Sequence, residues 1–336
     1  MTGNHKRAIQ CCCILLCGML LSGCNSVHWG REYTCDAPAE PGALTSPSEG
    51  NWLRVVSWNL HGTPEVAPMQ RRLERVAAQV LARKPDIALF QEVWFEGDAI
   101  LLERALSSRY DRIRDSETVR SHFFSPFTGF RAGGLLAFVS RGSPWAAKGG
   151  SQFEKFRDSA PWLRYNERDG IANKGVQHFL LVNGDRNVAI LNTHLQAQYP
   201  TSGRDSAYRE IRAGQIAQLR RLAERLSDNA TPVVAAGDLN TMPDETDLYR
   251  AVTAYWTDLT RAKYDSCRCG THLGKDLNDG SKVGGSRWMD YVLARMPSGY
   301  GDGVAGAKVE LIESKTVDCR YSDHHGLDVL VPLARQ

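Results

Sequence analysis

Short apolar runs that end in polar residues recur along the chain from about residue 51 onward. Leu53 to Asn59 and Asp86 to Glu92 have the apolar pattern of strands, whereas Val66 to Lys84 has a helical repeat. The same criteria predict further strands at 134–140, 174–182, 188–193, 232–237, 288–294 and 326–331, and helices at 99–107, 208–227 and 245–254. Strands interspersed with helices indicate one mixed α/β domain over residues 51–336.

The N-terminal segment has the pattern of an export signal. Lys6 and Arg7 precede a mostly apolar, uncharged run from Ala8 to Leu21, which is shorter than the roughly 20 residues of a membrane-spanning helix. Leu21-Ser-Gly-Cys24 resembles a bacterial lipoprotein box, which predicts a signal peptide over residues 1–23 and lipidation of Cys24. The alternative is an ordinary signal peptide with an incidental cysteine.

The segment after the signal predicts a flexible connection. Cys35 to Gly50 is rich in Ala, Pro, Gly and Ser, so residues 24–50 are expected to tether the anchor to the domain. Asn25 does not resemble the Asp of an inner-membrane retention signal. The expected location is therefore the cell envelope, with the outer membrane favoured.

Four of the nine cysteines lie beyond the lipidation site. An exported chain meets an oxidising compartment, so these four could form disulfides in any of three pairings. A metal site built on the Cys-Arg-Cys pair is the alternative, but no His or Cys with zinc-like spacing accompanies it. The four residues are Cys35, Cys267, Cys269 and Cys319.

Composition and charge exclude several classes of protein. Hydrophobic residues make up 42% and charged residues 24% of the chain, which excludes collagen-like, coiled-coil and wholly disordered proteins. Removal of Lys6 and Arg7 with the signal leaves 39 basic against 38 acidic residues, a net charge of +1. A nearly neutral chain lacks the overall electrostatic character of a dedicated nucleic-acid binder, although a local basic groove stays open.

Polar side chains capable of chemistry stand where the predicted strands end. In α/β folds, strand ends are where functional sites are assembled. Each residue alone has an ordinary structural explanation, as a turn former or a solvated strand end. Together, acidic and amide oxygens suit a hard cation such as Mg²⁺, and imidazoles with acidic partners suit acid–base catalysis. The residues are Asn59, Glu92, His194, Asp238, Asn240, Asp290, Asp323 and His324.

These residues belong to short motifs whose order along the chain resembles that of the endonuclease/exonuclease/phosphatase superfamily. The resemblance covers about residues 51–334 and implies a four-layer αββα sandwich, in which two packed mixed β-sheets are flanked by helices. Six short motifs in the expected order carry it, whereas one of them alone would be weak. They are Ser57-Trp-Asn59, Gln91-Glu92, Asn192-Thr-His194, Gly237-Asp-Leu-Asn240, Asp290-Tyr291 and Ser322-Asp-His324.

The resemblance also implies roles for these residues. Glu92 would bind the metal, Mg²⁺ with Mn²⁺ or Co²⁺ as substitutes, with Asn59 beside it. His324 would be the general base for the attacking water, oriented by Asp290, and Asp323 would face the metal region. His194, as a protonated imidazole, would stabilise charge on the phosphorus or protonate the leaving oxygen. Asp238 and Asn240 would orient the nucleophile or contact the phosphate.

Within the superfamily, the chain looks most like the neutral sphingomyelinases. Asn173-Lys-Gly175, the Thr193-His-Leu segment and the Arg-x-x-Gln-x-x-Gln-Leu pattern from Arg212 carry this likeness. It implies hydrolysis of sphingomyelin to ceramide and phosphocholine at a membrane surface, with no protein partner inferred. Lys174 would contact the substrate phosphate; the alternative is an ordinary surface lysine.

Membrane contact is suggested by aromatic residues and opposed by one departure from the secreted sphingomyelinases. Phe123, Phe124, Phe127 and Phe130 could form an interfacial loop, and Pro161 to Tyr165 is a weaker candidate, although aromatic residues more often lie in cores. The aromatic-tipped hairpin of secreted bacterial sphingomyelinases is not found between Asp290 and Ser322.

Three alternative functions stay open. Inositol-polyphosphate phosphatases share Asn-Lys-Gly and have an Arg-x-Trp-x-Asp segment similar to Arg287-Trp-Met-Asp290, but Thr241 and Met242 replace the aromatic and basic residues of that group. A nuclease would use the same catalytic set, and the near-neutral charge makes nucleic acid the less favoured substrate. A non-enzymatic adhesion lipoprotein would be expected to lack some site residues, and none is missing.

Overall fold

The computed structural model describes residue 44 and residues 51–63, 69–115, 130–161, 169–198, 205–273, 286–300, 307–314 and 321–334. Its helices are α1 (Met69–Arg83), α2 (Glu96–Leu106), α3 (Asp169–Ala172), α4 (Asp205–Ser227), α5 (Thr246–Thr253) and α6 (Arg261–Cys267). Its strands are β1 (Trp52–Asn59), β2 (Ile87–Gln91), β3 (Tyr110–Arg112), β4 (Leu136–Ser140), β5 (Ala146–Ala147), β6 (Gln152–Lys155), β7 (Gly175–Asn183), β8 (Arg186–His194), β9 (Val233–Asp238), β10 (Thr257–Asp258), β11 (Asp290–Arg295), β12 (Lys308–Ile312) and β13 (Gly326–Pro332).

The strands form two mixed sheets. The first has the order β12-β13-β1-β2-β4-β3, and the second has the order β10-β11-β9-β8-β7-β5, with β6 also paired to β7. Each sheet contains one parallel pair at its centre, β1 with β2 and β8 with β9. In each sheet, the carboxyl ends of the two parallel strands therefore lie next to each other at the same edge.

The two sheets pack face to face, and helices cover their outer faces. Alternate residues of β1 divide between two cores: Val55 faces the second sheet, while Val56 and Trp58 face α1 and α2. This division follows from the period of two along a strand. On the other side, α4 packs on β8 and β9, and α5 lies against α4. The predicted four-layer sandwich is confirmed.

The sequence predicted the central strands and missed the edges. Residues 66–84 form a helix only from Met69 to Arg83 among those described, and residues 86–92 form a strand that stops at Gln91. The short edge strands β3 and β6 read Tyr-Asp-Arg and Gln-Phe-Glu-Lys, which have too little apolar pattern to be recognised. Pairing with a longer neighbour, rather than local sequence, makes them strands.

The proposed signal, the lipidation site at Cys24 and nearly all of the tether lie outside the described residues. Within the described part of the chain, no helix combines the length and apolar character needed to cross a membrane.

A buried ion pair joins the two strands that lead to the site. Arg54 on β1 donates from Nε and Nη2 to the two carboxylate oxygens of Asp328 on β13, at 2.9 and 2.7 Å. The side chain of Asp328 is fully buried and that of Arg54 is 7% exposed. Arg83 Nη1 also lies 3.5 Å from Asp328 Oδ2. Removing Asp328 would therefore leave two buried guanidinium groups without this counter-charge, which costs more than the pair itself contributes.

We therefore expect Asp328→Ala to lower the free energy of unfolding by about 3–5 kcal/mol. The matched control is Asp111→Ala, which removes an acid from an ion pair with Arg141 whose side chains are 60% and 45% exposed. That change should cost less than about 1 kcal/mol, since water solvates both partners. Urea unfolding of the two variants measures the difference, and equal losses would show that burial of the Asp328 ion pair does not set its cost.

Candidate active site

Strand register places the predicted polar residues side by side at one end of the sandwich. In the first sheet, Asn59 at the end of β1 is the partner of Gln91 at the end of β2. In the second sheet, Asp238 ends β9 between His194, which ends β8, and Asp290, which begins β11. Residues far apart in the sequence thus become neighbours through backbone pairing alone.

A hydrogen bond between the sheets fixes these two rows relative to each other. Gln91 Nε2 donates to Asn192 Oδ1 at 2.8 Å and to Ser57 Oγ at 3.2 Å. Asn192 in turn donates to the carbonyl oxygens of Phe90 and Leu136, both at 3.2 Å. All of these side chains are buried, so the network restrains the separation and register of the sheets beneath the site.

Residues at the ends of strands β2 and β9 adopt backbone conformations with positive φ. Gly237 has φ of 142°, and a Cβ there would lie 1.9 Å from the carbonyl oxygen of Thr193, so only glycine fits. Glu92 and Asn240, each just past a strand, adopt left-handed φ values of 59° and 47°. Backbone strain of this kind at non-glycine residues is concentrated at functional sites.

The amide of Asn59 connects the acidic residues of the two sheets. Its Nδ2 donates to Glu92 Oε1 at 3.1 Å and to Asp238 Oδ2 at 3.0 Å, while its Oδ1 accepts from the backbone of His61 at 3.0 Å. The amide nitrogen, rather than the oxygen, therefore faces the carboxylates. In this arrangement Asn59 positions Glu92 and Asp238, and its predicted metal-binding role stays a prediction.

His324 and Asp290 form a buried pair. His324 Nδ1 lies 2.7 Å from Asp290 Oδ2, and its Nε2 lies 3.8 Å from Asp238 Oδ2. Burial alone would lower the pKa of His324, but Asp290 and then Asp323 raise it well above its ordinary value. The backbone of Asp290 is fixed by Thr271, whose Oγ1 accepts from its N–H at 3.1 Å. The predicted base and its orienting carboxylate are thus brought together.

Asp238 receives its hydrogen bonds from neutral donors, and the Nε2 atoms of His194 and His324 lie farther from its Oδ2, at 3.5 and 3.8 Å. Its carboxylate accepts from Asn59 and from the backbone of Asn240 at 2.8 Å, both neutral donors. Burial, with Asp290 nearby, raises the pKa of Asp238 to about 7. A cation placed next to this group would stabilise its ionised form.

His194 is held by an ammonium group. Lys174 Nζ lies 2.8 Å from His194 Nε2 and also donates to Asp169 Oδ2 at 3.0 Å and to the carbonyl of Leu195 at 2.8 Å. Burial and then Lys174 lower the pKa of His194 well below its ordinary value. Acceptance of a hydrogen bond at Nε2 from Lys174 favours a neutral His194 in this structure, and its expected role as a protonated imidazole stays a prediction.

Lys174 is held in a buried position by the same contacts. It is buried, so it is not an ordinary surface lysine, and its three ammonium protons have three acceptors. A direct bond from Lys174 to substrate would need one of these contacts to break. The geometry instead supports a role through His194.

Two further imidazoles join the site, which the sequence did not identify. His61 Nδ1 and His272 Nε2 lie 3.1 and 3.6 Å from Asp323 Oδ2. Burial would raise the pKa of Asp323, but His61, His324 and His272 together hold it below its ordinary value. His325, to which no catalytic role was assigned, accepts at Nδ1 from the backbone of Ser314 instead.

The chemistry of these side chains fits a divalent cation. Carboxylates of Glu92, Asp238 and Asp323 converge from both sheets, and Glu92 is 16% exposed, so it is reachable from solvent. Ligand atoms of Asp238, Asp290 and His324 lie within 4.8 Å of one another. Asp290 Oδ1 is buried and no described residue donates a hydrogen bond to it. Unsatisfied carboxylate oxygens of this kind suit a hard cation.

The cysteines and the aromatic segments that the sequence singled out lie partly within and partly outside the described residues. Cys267 and Cys269 form a disulfide with each other, which selects among the open pairings and excludes a metal site on their thiolates. Cys35 and Cys319 lie outside the described residues, as do Phe123, Phe124 and Phe127, and also residues 162–168. Phe130 is described, and its ring stacks on Trp94 with centroids 5.9 Å apart.

Comparison with known proteins concerns the family and the fold of the chain. The model of the Endonuclease/Exonuclease/phosphatase family matches residues 56–324. The "Putative neutral sphingomyelinase" of Drosophila melanogaster is 24% identical over 237 residues, which are 69% of this chain and 50% of that protein. The chain thus spans about half the length of this curated relative.

Solved structures share the fold. Sphingomyelinase C from Streptomyces griseocarneus superposes with a TM-score of 0.55 and 17% identity, over 84% of this chain and 100% of that one. TDP2 from D. rerio, complexed with single strand DNA product, has a TM-score of 0.60 and 16% identity, over 83% of this chain and 98% of that one. At these identities the likeness establishes the fold.

The contact with Lys174 predicts how His194 titrates. In Lys174→Met the pKa of His194 should rise, because the adjacent ammonium charge is removed, yet stay below its ordinary value because burial is the larger cause. NMR of ring ¹⁵N shifts against pH measures this. His178 is the control, since its pKa is lowered mainly by burial. Ordinary titration of His194 in the unaltered protein would disprove the assignment.

Proposed function

We propose that this chain, which belongs to the endonuclease/exonuclease/phosphatase family, is a cation-dependent phosphodiesterase that cleaves the headgroup of a phospholipid. The observation that carries the proposal is the row formed by His194, Asp238 and Asp290, with His324 bonded to Asp290 at 2.7 Å. Two imidazoles thus flank a central carboxylate, and Glu92 approaches from the first sheet.

The cation would be held by Glu92 and Asp323, with Asp238 nearby and Asn59 orienting the carboxylates. We propose Mg²⁺, with Mn²⁺ or Co²⁺ as substitutes, because oxygen ligands dominate around Glu92. When bound, a divalent cation supplies positive charge that neutralises the phosphate and opposes protonation of His324.

His324 would accept the proton of the attacking water at Nε2. Its Nδ1 is held by Asp290, which fixes the ring orientation and stabilises the imidazolium formed. Asp238, 3.8 Å from His324 Nε2, would orient the same water or receive a hydrogen bond from it. Asn240 would contact the phosphate. In the structure its Nδ2 donates to the carbonyl oxygen of Leu195 at 3.2 Å.

Charge on the other side of the phosphate would be stabilised by the Lys174 and His194 pair. The ammonium of Lys174 donates to His194 Nε2, which lies 3.5 Å from Asp238 Oδ2 and 4.0 Å from Glu92 Oε1. The positive charge would come from the Lys174 ammonium, which is also paired with Asp169 at 3.0 Å, and not from a protonated imidazole.

A sphingomyelin substrate is supported by the sequence motifs and by the name of the Drosophila melanogaster relative. The second candidate is a nucleic-acid phosphodiester, which is supported by the DNA product in the D. rerio TDP2 structure. The near-neutral charge of the chain favours the lipid. Export and lipidation of Cys24 are also proposed, on the sequence pattern of residues 1–24, and would place the enzyme at a membrane.

The first test is metal dependence across a substrate panel. With Mg²⁺, the full chain should hydrolyse sphingomyelin faster than phosphatidylcholine, inositol polyphosphates or DNA, and EDTA should abolish this activity reversibly. Glu92→Gln should need more Mg²⁺ for half-maximal rate, because a charged ligand is lost. Glu224→Gln, on a half-exposed pair with Arg220, is the matched control and should behave as wild type.

Two outcomes of this test would overturn the proposal in whole or in part. Faster cleavage of DNA would replace the lipid proposal by the nucleic-acid one. Undiminished turnover in metal-free enzyme would reject the mechanism as a whole.

The second test concerns the base. His324→Ala should reduce turnover about 10² to 10⁴-fold, the usual contribution of general-base catalysis, with the melting temperature little changed. Asp290→Asn should also reduce it, and the double variant should cost far less than the product of the two, since the residues act as one unit. His325→Ala is the matched control and should retain turnover.

The result that overturns this assignment is equally clear. If His325→Ala loses activity while His324→Ala keeps it, the base has been misassigned; if both keep it, hydrolysis at this site is wrong.

A further inference from the structure

We propose that Trp94 is a positioning residue for Glu92, and that its indole N–H orients the carboxylate that the cation would bind. Trp94 Nε1 donates to Glu92 Oε2 at 3.4 Å. The inference rests on the proposed function, because it concerns the same cation site. It deepens that proposal by naming a side chain, outside the sequence motifs, that sets the direction of this ligand.

Both oxygens of the Glu92 carboxylate are held by neutral donors. Oε1 accepts from Asn59 Nδ2 at 3.1 Å, and Oε2 accepts from Trp94 Nε1 at 3.4 Å. Neither donor carries a charge, so the negative charge of Glu92 is left for a cation. Carboxylates that bind metals are themselves oriented by hydrogen-bond partners of this kind, whose loss weakens metal binding.

The indole of Trp94 has little freedom to turn away from Glu92. The side chain is buried, and Phe130 stacks on it with ring centroids 5.9 Å apart and an angle of 5° between the planes. Gly134 lies against the ring with φ of 61°, and a Cβ there would be 2.6 Å from Trp94 Cε3. Glycine at position 134 leaves the room that the indole occupies, so packing fixes the direction of the N–H.

The backbone of both residues is also restrained. The carbonyl oxygen of Glu92 accepts from the N–H of Gly62 at 3.1 Å, and that of Trp94 accepts from the N–H of Arg131 at 2.7 Å. Glu92 has a left-handed φ of 59°, a conformation that a non-glycine residue keeps only where its surroundings over-determine it. The bond from Trp94 acts on the side chain of this strained residue, where it selects one direction of the carboxylate.

The donor and the ring of Trp94 can be separated experimentally. The indole N–H is a donor only, so it cannot accept a hydrogen bond in place of the carboxylate. The ring also neighbours His194, with centroids 6.3 Å apart. Trp94→Phe keeps an aromatic ring beside His194 and Phe130 and deletes the N–H, so it tests the hydrogen bond rather than the packing.

The first measurement follows the indole N–H of Trp94 in the unaltered full chain by ¹H–¹⁵N NMR, with the signal assigned through its correlation with the Trp94 backbone. The signal should shift as Mg²⁺ is added, because a cation draws electron density from the carboxylate that accepts this bond. The control is the buried indole of Trp145, which donates to the carbonyl oxygen of Trp52 at 3.1 Å and should not respond. In Glu92→Gln, the shift of the Trp94 signal should need more Mg²⁺.

The second measurement is calorimetric binding of Mg²⁺. Trp94→Phe should raise the Kd about 10-fold, the lower end of the about 10–100-fold cost of losing a ligand's hydrogen-bond partner, since 3.4 Å is long for an N–H···O bond. The Mg²⁺ concentration for half-maximal rate should rise by the same factor. Trp145→Phe is the matched control, because it deletes an indole hydrogen bond to Trp52, at the end of β1 opposite to Asn59, and should leave the Kd unchanged.

Three results would overturn the proposal: an unchanged Kd in Trp94→Phe, a Trp94 signal that Mg²⁺ does not move, or an equal loss of affinity in Trp145→Phe. If Trp94→Phe does not fold, the Trp94 signal of the unaltered chain still decides. Failure of the proposed cation site gives a different result, because Glu92→Gln would then bind Mg²⁺ as tightly as the unaltered chain, and both proposals would fall together.

Discussion

Mutual repulsion among buried and partly buried carboxylates is the constraint on which this site depends. Glu92, Asp238, Asp290 and Asp323 are gathered at one end of the sandwich, and each must be compensated because charge is costly away from water. Asp290 is compensated by His324 and Asp323 by imidazoles. Asp238 receives only neutral hydrogen bonds, and burial raises its pKa to about 7. The deficit of positive charge is what a divalent cation would correct.

Backbone pairing makes this crowding possible. Register, rather than side-chain attraction, places Asp238 between His194 and Asp290, and the Gln91 to Asn192 hydrogen bond holds the second sheet against the first. The stability of the two-sheet core therefore sustains an arrangement that the charges alone would not form. This is why the polar end can be assembled without a local motif that joins its members.

The sequence predicted the central strands and most of the site because both leave a local signal. An apolar run followed by Glu92 or Asp238 is visible in the chain itself, and the order of such motifs indicated the fold. His61 and His272 left no comparable signal, since a lone histidine usually has a structural explanation. The position of His272 depends on backbone pairing with Arg287 and contact with Asp323, which exist only after folding. Edge strands were missed for the same reason.

The two imidazoles of the candidate site show how the environment separates the pKa values of residues of one type. Asp290 beside His324 raises its pKa, whereas burial and Lys174 beside His194 lower the pKa of that ring. Pairs of titratable groups pushed apart in this way mark acid–base assignments in enzymes. His324 has the higher proton affinity and is suited to take the proton of water, while neutral His194 accepts a hydrogen bond from Lys174. The partner of each ring, acid or ammonium, therefore makes the two sides of the candidate site chemically different.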